Sequence, residues 1–134
     1  MSSTYVYWIS TALLSLLYLS SAALYVAKPA FARQAQADLG YQVAHLVPFL
    51  VVVKVLGSAA ILSRVSLLLS DLAYAGMFFH LLLSAMAHLG VRKPRGAIPA
   101  IVGLALLAAS FTTQNATRDG ISPYAPAQAA HAKG

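Results

Sequence analysis

The sequence predicts an all-α integral membrane protein, an antiparallel four-helix transmembrane bundle with short loops. Hydrophobic residues make up 60% of its 134 residues and charged residues only 9%, whereas a soluble domain typically has about 25% charged residues. The apolar residues form four runs, at about 5–27, 43–63, 67–89 and 97–115, and roughly 20 such residues span a bilayer as a helix. We expect one domain over residues 1–115 and a disordered extramembrane tail over 116–134.

The first run, residues 5–27, contains no charged residue and would be about 35 Å long as a helix, enough to cross the hydrocarbon core. It lacks the basic start of a signal peptide, and Lys28 and Pro29 stand where a small-residue cleavage site would be. We therefore interpret it as a retained span. The polar residues 28–42 that follow are expected to form the longest connection.

The other three runs are separated by short polar segments. Residues 64–66 are expected to form a tight turn, and residues 90–96 a basic loop around Pro94. The second run carries one charge, Lys54, and the third carries Asp71, His80 and His88. These polar groups are the informative ones, because an ionisable side chain inside a membrane usually serves a function.

The net charge of +6 comes from basic residues that sit singly or at the edges of the apolar runs. Without a continuous basic face, we expect no nucleic-acid partner, and the lipid bilayer is the expected environment. Five lysine and arginine residues fall in the first and third loops, so the positive-inside rule predicts cytoplasmic loops there and both termini outside, in the inner (plasma) membrane. The sequence has no cysteine, which excludes disulfide, iron–sulfur and cysteine-type zinc sites, and we predict no metal site.

Lys54 lies near the middle of the second span, where a lysine costs roughly 2.5–3.5 kcal/mol to insert. We expect it to face the bundle interior, with water or a partner. Folding the second and third spans into a hairpin about position 67 places Lys54 and His80 thirteen residues from the turn on either side, hence at one depth. One helical face of the third span, predicted to point inward, aligns Ala73, Met77, His80, Ser84 and His88.

The candidate ligand-binding residues are Lys54, His80, Ser84 and His88, with the hydroxyls of Thr11 and Ser15 on the first span. Each also has a structural interpretation. Lys54 would be a tether bonded to the first helix, His80 a core residue, His88 an interfacial residue, and the hydroxyls of the first span packing contacts.

Two further expectations concern ionisable groups outside this set. Asp71 is expected near the start of the third helix, where the helix dipole favours a carboxylate, and there it would pair with Arg64. A haem held by two histidines would need His45 and His88 to face each other from different helices, which the predicted helix faces disfavour.

Several short stretches occur in the order and spacing typical of one family. They are residues 7–11 (YWIST), 39–41 (LGY), 53–57 (VKVLG), 72–78 (LAYAGMF) and 85–88 (AMAH). With them the chain resembles the DoxX-like family of small four-helix membrane proteins over roughly residues 5–90. The resemblance implies that the family-motif positions are Lys54, Gly57, Ala73, Tyr74, Ala75, Gly76 and His88.

The resemblance also implies a link to redox chemistry. The wider family is named for its likeness to a subunit of a membrane thiosulfate:quinone oxidoreductase, and some relatives accompany redox or oxidative-stress systems. The chain departs from the family pattern at three positions. Asp71 replaces a frequent glutamate, Leu72 a frequent tryptophan, and His80 an expected aspartate or other polar residue. The absence of cysteine excludes the chemistry of more distant four-helix relatives such as vitamin K epoxide reductases.

Three functions stay open, and so does the question of enzymatic activity. In the first, a redox-associated component binds a quinone or similar lipophile, with Lys54 at a carbonyl oxygen and His80 or His88 relaying a proton. In the second, the chain is a non-catalytic accessory subunit of a larger complex or a homo-oligomer, and Lys54 pairs with a carboxylate of another helix. In the third, it transports a small solute or protons, although the sequence has no inverted repeat.

Overall fold

A computed structural model describes residues 2–43, 45–118 and 121–127. Within these ranges all regular secondary structure is helical, and there is no strand. The elements are α1 (Ser3–Ala27), α2 (Pro29–Asp38), α3 (Leu46–Ser63), α4 (Leu67–Gly90), α5 (Pro94–Thr113) and a 3-10 helix (Gln114–Thr117). Four helices are long and apolar enough to cross a membrane: α1, α3, α4, and α5 with its 3-10 extension. The predicted all-α membrane bundle is confirmed.

Local sequence signals account for the helix ends. The Ser66 hydroxyl accepts a hydrogen bond from the Leu69 backbone N–H at 3.3 Å and caps the start of α4. Pro29 and Pro94 open α2 and α5 at positions where a missing N–H costs no helical hydrogen bond. Arg64 ends α3 in the left-handed region, with φ of +56°, so the chain can reverse within three residues.

The helices pack in a ring in which α1 contacts α3 and α5, and α4 closes the ring between α3 and α5. The most extensive interface is between α4 and α5. Large apolar side chains also cover the outside of the bundle: Leu68 is 76% exposed and Leu16 61%. Such an exterior suits contact with lipid. The interior residues of the core are Leu14, Tyr18, Ile61, Tyr74, Met77, Leu81, Ala85, Ala97, Ala100 and Leu107.

The connection between α1 and α3 contains a helix, α2, where the sequence analysis expected a polar loop. Only Ala32 of α2 is buried, and two polar contacts link α2 to other segments. Gln36 Nε2 donates to the Tyr25 hydroxyl at 2.9 Å, and the Asp38 carboxylate lies 3.7 Å from Lys93 Nζ. These contacts hold α2 across one end of the bundle, which we call the α2 end.

The sequence predicts a disordered tail over residues 116–134, and its described residues, 116–118 and 121–127, include two that bond to the bundle, Thr117 and Ser122. The Asn115 side chain donates to the Ser122 carbonyl at 3.0 Å and accepts from the Ser122 N–H at 2.8 Å. The Ser122 hydroxyl in turn donates to Asp71 Oδ2 at 3.0 Å. Asn115 thus forms hydrogen bonds with both backbone groups of Ser122. The composition of the tail does not predict this contact, because composition says nothing about which residues of two segments meet. The remaining tail residues, 119–120 and 128–134, lie outside the described residues.

Arg64 and Asp71, which the sequence analysis paired, bind different partners. Arg64 Nη2 donates to the carbonyl and hydroxyl oxygens of Thr117 at 2.9 and 2.8 Å, and its guanidinium lies 5.0 Å from the Tyr7 ring centroid. No ion pair joins Arg64 to Asp71 in the described structure. Asp71 is the fifth residue of α4 and lies beyond its first turn, where Ser66 provides the cap.

Candidate ligand-binding site

Lys54 is buried inside the bundle with 6% of its surface exposed. Its Nζ lies 5.2 Å from the ring centroid of Tyr18 and 5.3 Å from that of Tyr25. The two tyrosines are seven residues apart on α1, so two helical turns put both rings on one face. The ring faces carry negative charge density and attract the ammonium group. No hydrogen bond or ion pair links Nζ to another residue in the described ranges, so its three donors are unused.

Tyr18 connects Lys54 to His80. The Tyr18 hydroxyl lies 2.9 Å from His80 Nδ1 and 3.5 Å from the Met77 carbonyl oxygen, to which it can only donate. Its ring faces Lys54 and its hydroxyl faces the imidazole, so one aromatic side chain of α1 joins the ammonium on α3 to the imidazole on α4. The two residues that the hairpin arithmetic placed at one depth therefore share a neighbour.

A cavity of about 410 Å³ extends from Lys54 and His80 toward the α2 end, and we call it the polar cavity. Its volume lies within the range of small-molecule sites, about 300–1,000 Å³. Helix α2 forms part of its wall through Gln36. The polar residues that line it are Tyr18, Ser21, Tyr25, Gln36, Tyr41, Lys54, His80, Ser84 and His88.

His88 lies at the far end of the polar cavity, and its hydrogen bond places a proton on one ring nitrogen. Nδ1 lies 2.8 Å from the Ser84 carbonyl oxygen. Because a carbonyl only accepts, Nδ1 carries a proton in this contact. The ring packs on Gly96, where an added Cβ would overlap it and lie 2.8 Å from Nε2. Glycine at this position thus makes room for the imidazole.

The predicted inward face of α4 is displaced by about one residue. The most buried residues of α4 are Ser70, Tyr74, Met77, Leu81 and Ala85, so only Met77 belongs to both sets. The other four residues of the predicted face are half-buried at its edge: Ala73, His80, Ser84 and His88. The buried face of α4 packs on α5, where Tyr74 contacts Ser110 and Leu81 lies against Gly103. The adjoining residues His80, Ser84 and His88 line the polar cavity.

The structure does not bring Thr11 and Ser15 to the polar cavity. The Thr11 hydroxyl lies 2.6 Å from the Ser110 hydroxyl, which lies 2.6 Å from the Tyr74 hydroxyl. These three side chains form a buried hydroxyl cluster between α1, α4 and α5. Ser15 is also buried, with 3% of its surface exposed, and it does not line the cavity. Neither residue lines the polar cavity, and the contacts of Thr11 are those of a packing residue between helices.

Sequence reasoning did not assign Tyr18, Tyr25 or Gln36 to the site. The two tyrosines are seven residues apart on the first span. Their seven-residue spacing is the signal that was available, because it places two aromatic rings on one face of a helix opposite a buried lysine. No pattern in the sequence identifies Gln36, because its place beside Tyr25 depends on how helix α2 packs.

An apolar groove of about 720 Å³ lies between α3 and α4 on the other side of Lys54 and His80. We call it the apolar groove. The groove is open at Gly76, where an added Cβ would meet no atom within 4 Å, and tighter at Gly57, where an added Cβ would lie 3.1 Å from Met77 Cε. The polar cavity and the apolar groove share four lining residues, Tyr18, Leu50, Lys54 and His80.

The family-motif positions divide between the two spaces. Lys54, Gly57, Ala73 and Gly76 line the apolar groove, and Lys54 and His88 line the polar cavity. Two motif positions line neither space: Tyr74 is buried against Ser110, and Ala75 is exposed.

No cluster of three or more metal-ligating side chains occurs among the residues that the structure describes. His45 is exposed and does not line the polar cavity with His88, so these two histidines do not form an axial pair there.

Comparison with known proteins identifies the family. The sequence profile of the DoxX-like family matches residues 9–110, which extend from α1 into α5 and include Lys54, His80 and both tyrosines. No significant match was found among curated proteins or among solved structures. With four apolar helices of membrane-spanning length and a profile match over most of its length, the chain is a multi-pass membrane protein that belongs to the DoxX-like family.

Proposed function

We propose that the protein binds a quinone, or a similar lipophilic carbonyl compound, in the polar cavity and acts as a membrane component of a redox system. The observation that carries the proposal is the environment of Lys54. Buried cations in proteins are normally paired or hydrogen-bonded, yet the Lys54 ammonium contacts two aromatic faces and borders a cavity with its donors unused. A ligand carbonyl oxygen in that cavity would accept from Nζ.

The chemistry follows from the groups that line the cavity. Lys54 would donate a hydrogen bond to one carbonyl oxygen and stabilise the negative charge that develops there as the quinone gains electrons. Full reduction to the quinol takes two electrons, which we assign to a partner redox protein, and two protons. The Tyr18–His80 pair and His88 Nε2 lie on the cavity wall, where they would relay those protons.

The localisation that fits this proposal is the inner (plasma) membrane with both termini outside. In that orientation the α2 end faces the cytoplasm, and its basic residues Arg33, Arg92, Lys93 and Arg95 lie near anionic headgroups. The polar cavity would then open toward the cytoplasmic side, from which a partner protein would supply electrons.

A second candidate function is that of an accessory subunit in a larger membrane complex or a homo-oligomer. The apolar groove favours it, because small residues such as Gly57 and Gly76 allow a neighbouring helix to approach closely. In that arrangement a carboxylate on the incoming helix would pair with Lys54. A stoichiometric partner in mild detergent, lost on replacing Lys54, would support this function over the first. Transport of a small solute or protons is the third candidate, and proteoliposome flux tests it.

Extraction of bound lipids tests the proposed function directly. The full chain is purified from membranes as wild type, Lys54→Met and Lys28→Met, and quinones are quantified by mass spectrometry after organic extraction. Lys28 is the matched control, because it is exposed and its side chain makes no capping hydrogen bond. We expect quinone with wild type and Lys28→Met, and a loss of about tenfold or more with Lys54→Met. Equal amounts in all three preparations would overturn the proposal.

A further inference from the structure

We infer that the compound bound beside Lys54 carries a long apolar tail, and that this tail lies in the apolar groove between α3 and α4. The inference rests on the proposed function and adds the class of compound: a polar ring with an isoprenoid or alkyl chain, rather than a small free quinone. It also assigns the groove to a ligand and not to a second helix.

The first argument is continuity between the two spaces. Along α3 the polar cavity is lined from Leu46 to Lys54, and the apolar groove from Phe49 to Ser63. Along α4 the cavity is lined from His88 to His80, and the groove from His80 to Leu69. Both helices thus pass from one space to the other at the level of Lys54 and His80, where a ring and its tail would join.

The second argument is the contrast in chemistry on the two sides of that level. Three of the four polar residues of the apolar groove, Tyr18, Lys54 and His80, lie at its junction with the cavity, and the fourth, Ser63, lies near the α3–α4 turn. Between them the wall offers no hydrogen-bonding side chain. A ring with carbonyl oxygens needs donors, whereas a hydrocarbon chain needs none, so the two parts of such a molecule match the two spaces.

The third argument is length. Nine residues of helix separate Lys54 from Ser63, a rise of about 14 Å. An extended chain advances about 1.3 Å per bond, so the groove holds roughly ten carbon atoms in line. Bilayer lipid is as apolar as the groove. A free hydrocarbon chain therefore gains no free energy by moving from the lipid into the groove. Attachment to a ring held beside Lys54 supplies a preference for the groove.

Gly76 provides the test, because it lines the groove and an added Cβ there meets no protein atom. No atom lies within 4 Å of a Cβ at Gly76 or at Gly90, and Gly90 lies on the same helix but lines neither space. Gly76→Phe should therefore block the tail and leave the ring site intact. Gly90→Phe is the matched control for the added aromatic ring.

Two probes are used with the full chain in lipid nanodiscs: a benzoquinone without a tail, and the same ring with a ten-carbon alkyl tail. We expect Gly76→Phe to weaken binding of the tailed quinone about tenfold or more and that of the tail-less quinone less than about twofold. Gly90→Phe should change neither affinity by more than about twofold. In a second measurement on wild type, a photoreactive group at the tail end should label α3 and α4 residues between Lys54 and Leu69.

The outcomes separate the inference from the proposed function. If the tail-less quinone binds in a Lys54-dependent manner but Gly76→Phe does not discriminate the tailed compound, or if the label appears on α2 or α5, the inference is overturned and the proposed function stands. If wild type binds neither quinone, the proposed function itself fails. A change in oligomeric state on Gly76→Phe, without loss of the tailed quinone, would assign the groove to a second helix and overturn the inference.

Discussion

Replacing Lys54 by methionine should reduce quinone binding about tenfold or more with little effect on the stability of the bundle. Inserting a lysine at this depth costs roughly 2.5–3.5 kcal/mol. The two tyrosine rings at 5.2 and 5.3 Å return roughly 0.5–2 kcal/mol each, about 2.5 kcal/mol together. Nζ has no hydrogen bond to lose among the described residues. Methionine has a similar length and no charge, so the free energy of unfolding should stay within about 1.5 kcal/mol of wild type.

The assay is equilibrium unfolding by SDS titration in mixed micelles, followed by circular dichroism, with Lys28→Met as the control for the substitution itself. Both variants should unfold close to wild type. A loss of about 3 kcal/mol or more in Lys54→Met, the size observed when a buried ion pair is broken, would refute the reasoning. Lys54 would then be a structural tether, and its burial would need no ligand.

Three other substitutions test neighbouring contacts by the same unfolding assay. Ser110→Ala leaves two buried hydroxyls without their shared partner and should cost about 1–3 kcal/mol; a neutral result would contradict the cluster. Tyr18→Phe keeps the ring beside Lys54 but removes the 2.9 Å contact with His80 Nδ1, so it should cost about 1 kcal/mol and reduce quinone affinity less than Lys54→Met does. In Gly103→Ala the new Cβ would lie 2.8 Å from Leu81 Cδ2, so this variant should be about 1–3 kcal/mol less stable than Gly76→Ala, which meets no atom; equal stabilities would contradict the close packing at Gly103.

Much of the fold was predictable because the solvent imposes it. A chain with four long apolar runs has few ways to satisfy its backbone in a bilayer, and helices in a bundle are the simplest. The cost of burying a single charge identifies Lys54 as an informative residue. Counting residues along both helices from position 67 places His80 at the same depth. These arguments use only the helical rise and the apolar pattern, both of which can be read along the chain.

The remainder depends on contacts between distant segments. The bonds from Asn115 to Ser122 and from Ser122 to Asp71 order part of a tail whose composition indicates disorder. The packing of α4 on α5 sets which face of α4 is buried and leaves His80, Ser84 and His88 on the wall of the polar cavity. Helix α2 contributes Gln36, which donates a hydrogen bond to Tyr25 of α1, to the wall of the polar cavity. None of these three features can be predicted from the composition or periodicity of a single segment.

Infrared difference spectroscopy tests the central claim most directly, because it reports on the carbonyl group itself. A tail-less benzoquinone carrying a ¹³C-labelled carbonyl is added to the full chain in nanodiscs, and its stretching band is compared with that in empty nanodiscs. A hydrogen bond from the Lys54 ammonium weakens the carbonyl double bond, so the band should move to lower frequency with wild type and return to the empty-nanodisc value with Lys54→Met. An unshifted band with saturated wild type, or the same shift in Lys54→Met, would contradict the proposed contact.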